Sequence, residues 1–123
     1  MELPTVRIDI YRGESYLSFW KIVKNDGTIF LPSSNDSVLV GIKRNKSAKN
    51  YIIKKTYTNE DFTGSGFYFS LTPDETGNLN AGQYEYDIGL KIYNEDETYS
   101  YYHIISVSPC IVHETVTLMS DFT

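Results

Sequence analysis

The residues in this chain that could bind a metal or move a proton are few: Cys110, His103, His113 and scattered carboxylates. Cys110-Ile111-Val112-His113 has the spacing of a CxxH ligand pair, and thiolate with imidazole is a zinc donor set. The surrounding residues predict a strand, however, where positions i and i+3 point to opposite faces, so the two side chains cannot converge on one ion. No second Cys/His pair is available. His103 falls in a row with Tyr99, Tyr101, Ile105 and Val107, with no orienting acid placed by sequence, which predicts a packed histidine rather than a general base. Glu95-Asp96-Glu97 lacks the alternating oxygen ligands and ordered glycine of a calcium loop and reads as a solvated turn. Gly64-Ser65-Gly66 is not followed by the helix that a phosphate cradle needs. The expectation is a non-enzymatic protein with no catalytic residue, no metal and no cofactor.

What remains is charge. The net charge of −5 argues against general nucleic-acid binding, which needs clustered cations on phosphates. The distribution is uneven: 21–55 holds eight Lys/Arg against two acids, whereas 56–123 holds eleven acids against Lys91 alone. Charge runs ordinarily face water, but such asymmetry can also steer a complementary partner, or a second copy, into register. Lys43, Arg44, Lys46 and Lys49 cluster near one turn and are the residues expected to meet an acidic partner.

The elements that must position these residues read as strands. Aromatics are 15% of the chain, with eleven Tyr, and β-branched residues are common. Val6, Ile8 and Ile10 alternate with polar neighbours, and the next run, 15–23, is apolar on both faces, which predicts a central or covered strand. Asn25-Asp26-Gly27 supplies a turn into a short return strand at 28–31. Alternation resumes at 38–43, with 51–57 as its hairpin partner, and again at 67–71 and 84–92, with a hairpin return at 98–107. Pro109 marks a kink or an edge before a last strand at 111–119. Between the runs at 67–71 and 84–92, Thr72, Pro73, Asp74 and Glu75 have the chemistry of a capped helical turn near 73–77.

With no helical periodicity, no internal repeat and no linker, the reading is one all-β domain at 1–119 with a short tail at 120–123. Its fold class is an antiparallel β-sandwich of seven to nine strands. The lone Cys110 cannot close an internal disulfide. The start of the chain has no basic and apolar leader, and no run of about 18 apolar residues occurs, so neither a signal peptide nor membrane contact is expected.

The segment Asn80-Ala81-Gly82-Gln83-Tyr84-Glu85-Tyr86 resembles the immunoglobulin pattern of acid, small residue, glycine, any residue, Tyr, any residue, Cys. Tyr86 stands where the cysteine would, and Tyr84 becomes the corner tyrosine whose hydroxyl bonds back to the backbone. Phe69-x-Leu71-x-Pro73, Asp74-Glu75-Thr76, Leu79, Gly82, Tyr84, Tyr86-Asp87 and Leu90 resemble the N-terminal domain of phage upper baseplate proteins and related tail proteins. Asp9, Tyr11, the apolar run at 17–23 and Asn25-Asp26-Gly27 agree with that family in outline. The resemblance implies an immunoglobulin-like virion module, made in the host cytoplasm, that docks to other tail or baseplate proteins or to copies of itself. Leu79, Gly82 and Tyr84 would be its structural corner.

Carbohydrate binding at a host surface is the alternative. Sandwich modules of that kind stack sugars on exposed aromatics, and Trp20, Tyr11, Tyr68, Tyr93 and Tyr102 stand at positions that could face outward.

Overall fold

The protein is described as a computed structural model over residues 6–24 and 26–115. Asn25, the strand expected beyond 115 and the tail at 120–123 lie outside the described residues. In chain order the elements are β1 (Ile8–Tyr11), β2 (Tyr16–Trp20), β3 (Ser37–Lys43), β4 (Ile53–Tyr57), a 3-10 turn (Asn59–Asp61), β5 (Phe62–Thr63) and β6 (Gly66–Leu71). The helical turn α1 (Pro73–Gly77) follows, then β7 (Gly82–Tyr93), β8 (Tyr99–His103) and β9 (Ser108–His113). The class is an all-β sandwich.

The larger sheet runs β1-β9-β7-β3-β4, with β8 beside the far half of β7; the smaller runs β2-β6-β5. Period-2 alternation sends one set of side chains from each sheet into a shared core. From the larger sheet come Ile8, Ile10, Val38, Val40, Ile42, Tyr84, Tyr86, Ile88, Cys110 and Val112; from the smaller come Phe67, Phe69 and Leu71. Trp20 stacks on Phe69 with ring centroids 4.7 Å apart, and Tyr57 meets Phe67 at 4.6 Å.

The sequence predicts a central or covered strand at 15–23, and the structure corrects this. Among the described strands β2 pairs only with β6, at an edge of the smaller sheet. Tyr16 and Trp20 pack inward, while Leu17 is 67% exposed and Phe19 is exposed beside it. The second apolar face has no described cover. The return strand expected at 28–31 shrinks to one bridge, Val23 to Ile29, flanked by main-chain bonds from Lys24 N–H to Thr28 O and from Phe30 N–H to Ile22 O.

β8 and β9 flank the same side of β7 in succession, so the expected hairpin return is one path broken in the middle. Ile104 N–H donates to Ile88 O, and the ladder resumes with Ser108 opposite Tyr86, leaving residues 105–107 bulged against Asp87. Pro109 lies within β9, where the sequence predicts a kink or an edge. Its missing N–H falls at the strand entry, one residue before β1 begins opposite Cys110. β1 joins β9 in parallel, Ile8 beside Cys110 through Tyr11 beside His113. Among the described strands it is the one parallel pair, in a sandwich expected to be antiparallel. The two strands are joined through the whole intervening chain, so no tight turn dictates their relative direction.

Asp36 fastens the loop before β3 to the end of β7. Its carboxylate accepts from Ser33 N–H and Oγ, both at 2.9 Å, and from Tyr93 N–H at 2.8 Å. Burial, the largest single influence, pushes the carboxyl up, but these three bonds together hold it below its ordinary range. Glu75 is also held low, chiefly by Lys55, 2.7 Å away. A carboxyl lowered in the folded state stabilises above its unfolded pKa, and that stability is lost as pH falls through the folded value. The urea midpoint should therefore stay level from neutral pH to about 5 and drop below about 4. Asp36→Asn should flatten part of that fall; an unchanged acid slope in the variant would remove Asp36 from the account.

Candidate interaction surfaces

The corner between the sheets is built first from local chemistry. Thr72 caps α1: Glu75 N–H donates to Thr72 Oγ1 at 3.1 Å, and Thr72 N–H donates to Glu75 Oε1 at 2.9 Å, a reciprocal capping box. Thr76 is fully buried, and its hydroxyl donates to Glu14 O at 2.8 Å, while Arg12 Nη2 donates to Gly77 O at 2.9 Å. Leu79 is buried behind the turn. Gly82 opens β7 at φ +145°, a conformation that L side chains rarely adopt. The Tyr84 hydroxyl donates to Asn80 O at 2.7 Å, four residues upstream. Tyr86 is buried, and its hydroxyl donates to Val6 O, just ahead of β1. Burial pushes that hydroxyl's pKa up, so a neutral donor stands where a cysteine would in the immunoglobulin pattern.

The basic residues sit at the end of the β3–β4 hairpin, and they meet different neighbours. Arg44 turns back over the Tyr84 ring, 4.9 Å from its centre. Lys43 lies 4.8 Å from the centre of the Tyr51 ring, and Lys54 of β4 lies 5.5 Å from the same ring. Lys46 N–H donates to Glu85 Oε1 at 2.8 Å, and Lys49 is exposed at the tip. Gly41, Lys43, Lys46, Tyr51, Glu85 and Asp87 line a shallow polar hollow there. Two carboxylates of β7 thus stand among the lysines. Their positions follow from the register, Lys43 opposite Glu85 and Gly41 opposite Asp87, which spacing along one strand does not reveal. Lys54, absent from the expected set, stands opposite Gly41 from the other side. Alternation of β4 against Gly41 is the signal that would have found it.

The titratable groups of the opening motif diverge. Cys110 is fully buried, and burial, with Asp9 nearby, pushes its thiol up to about 12. His113 lies on the opposite face of β9, with Nε2 2.8 Å from Asp9 Oδ1 and its ring stacked 4.7 Å from Tyr11. Arg7 lies 2.8 Å from the same carboxylate. His103, expected to pack, is exposed and lies 3.6 Å from Asp87. Among the described residues no group of three or more His, Cys, Asp or Glu could hold a metal ion.

The aromatics divide in the same way. Trp20 is held inward against Phe69 and Phe67. Tyr68 is exposed against Phe19, with centroids 4.9 Å apart, and Tyr93 meets Tyr99 edge-on at 5.3 Å. Tyr11 and Tyr102 are exposed, on β1 and β8. The strongest stacking platform in the sequence is therefore spent on the core. No protein-family model matches this chain, and no curated protein matches it.

Proposed function

We propose that the chain is a non-enzymatic structural module of a phage or prophage tail or baseplate, made in the host cytoplasm and acting through protein–protein contacts. The observation that carries this reading is the outer face of the smaller sheet, where Leu17, Phe19 and Tyr68 stand side by side in solvent. Monomeric proteins keep contiguous apolar area small, and larger exposed patches mark interaction surfaces. The resemblance at 69–90 to phage baseplate proteins supports the setting. The inward packing of Trp20 favours protein contacts over sugar stacking.

The basic hairpin gives such an interface its orientation rather than its adhesion, since rim charges chiefly govern approach and register. Mass spectrometry of purified particles should find the chain in the virion; particles that lack it would defeat the proposal. Reversing Lys46 and Lys49 to Glu should weaken incorporation about tenfold at low salt, with the difference shrinking as ionic strength rises through about 0.15 M. Equal incorporation at low salt would exclude the hairpin from the interface.

A further inference from the structure

Among the described residues β8 is an open edge. It pairs with β7 along one side and with no described strand along the other, and four of its five residues are exposed, Tyr101 to 70%. Edge strands ordinarily carry lysine, proline or a bulge that discourages pairing with another chain. β4, at the far edge of the same sheet, carries Lys54 and Lys55. β8 reads Tyr-Ser-Tyr-Tyr-His, with unbroken register and none of these devices.

The bonds at its two ends set its phase. Asn94 N–H donates to Thr98 O at 2.8 Å, and Ile104 N–H donates to Ile88 O at 3.1 Å. In an antiparallel pair the bonded positions alternate, so Thr98, Ser100, Tyr102 and Ile104 turn their main-chain groups toward β7. Tyr99, Tyr101 and His103 turn theirs to the open edge.

We propose that β8 pairs antiparallel with β8 of a second copy, about a two-fold axis at Tyr101. That register sets Tyr101 opposite Tyr101 and Tyr99 opposite His103. Every outward-turned position then meets another, closing about six main-chain hydrogen bonds. On the outer face Tyr99 and Tyr101 of both copies form one aromatic ladder, and cross-strand aromatic pairs are a stabilising unit of sheets. Lys91, 4.2 Å from the centre of the Tyr99 ring, borders it. No like-charge contact opposes the pairing. β8 has no carboxylate or ammonium, its histidine faces a tyrosine, and the acidic turns at 94–98 leave from opposite ends of the antiparallel pair. The contact is isologous and closes at two copies. It follows from the phase of the strand and stands apart from the virion assignment.

Sedimentation velocity from micromolar to millimolar concentration, with amide exchange at both extremes, tests it. A concentration-dependent dimer is expected, in which the Tyr99, Tyr101 and His103 amides are slow and are freed on dilution, while Ser100 and Tyr102 stay protected throughout. Tyr101→Lys sets two ammonium groups opposite each other and should raise the dimer dissociation constant at least about tenfold. Tyr101→Pro removes an outward N–H and leaves the β7 ladder bonds in place, so it should do the same. A strict monomer at millimolar concentration overturns the proposal, as does a dimer that survives both variants. Protection of the odd-numbered amides that ignores dilution also overturns it, by showing that the edge is covered within one chain. Protection gained only on adding an extended segment of a different protein would assign the edge to that partner instead.

Discussion

Phe69→Ala is expected to lower the unfolding free energy by about 3–5 kcal/mol, a large share of the roughly 5–15 kcal/mol that holds a domain of this size. Phe69 is fully buried in β6, the middle strand of the smaller sheet. Trp20 stacks on its face, and Tyr16 meets it edge-on at 5.7 Å, both from β2. Their register against Phe67 and Leu71 fixes where those rings sit, so they cannot close over the space a methyl group leaves. The residual cavity adds to the lost transfer energy. Urea unfolding should show a lower midpoint with an unchanged slope. A loss below about 1 kcal/mol would mean that the smaller sheet repacks freely.

Gly66→Ala should cost about 1–3 kcal/mol, and the reason is contact rather than backbone conformation. A Cβ at Gly66 would stand 2.2 Å from Trp20 O and 2.9 Å from Phe19 Cζ. The carbonyl belongs to a paired strand and cannot turn away, so β2 and β6 must separate. Gly64 gives the contrast. It holds φ +63° with nothing within 4 Å of its would-be Cβ, so Gly64→Ala meets only the left-handed penalty, about 1–2 kcal/mol. Thermal unfolding of both variants separates the causes. Gly66→Ala should also speed amide exchange across β2, and Gly64→Ala should not. Equal exchange in the two would show that the clash at Gly66 is absorbed locally.

The parts of the fold legible in the sequence are those that depend on neighbours along the chain. The capped turn at Thr72 and Pro73 and the alternation from Tyr84 onward are local chemistry, and α1 and β7 lie where that chemistry puts them. The edge position of β2 is not legible in its sequence, because the pattern reports which residues are apolar and not what covers them. Leu17 and Phe19 have core composition on a solvent face, the same property that makes them a candidate contact surface. The return at 28–31 stays a single bridge, since turn residues promise a hairpin that needs flanking partners to extend it. At the basic hairpin the lysines were visible, but Glu85 and Asp87 come from a strand some forty residues away and enter only through register. The phase of β8, which separates its inward-bonded from its outward-bonded residues, likewise exists only once its partner strand is known.

The parallel alignment of β1 with β9 also decides how the domain bears a pull. The chain enters β1 beside the start of β9 and leaves β9 at the opposite end of the sandwich. Tension applied through the two flanking segments slides these strands lengthwise past each other, so their main-chain bonds are loaded together instead of peeling one at a time. Arg12 N–H to His113 O, Thr115 Oγ1 to Arg12 O and the Arg12–Glu114 ion pair share the load at one end, with His113–Asp9 between the strands. Forced unfolding is set by the barrier to breaking that set at once. The parallel pairing therefore meets an end-to-end pull in shear rather than by unzipping.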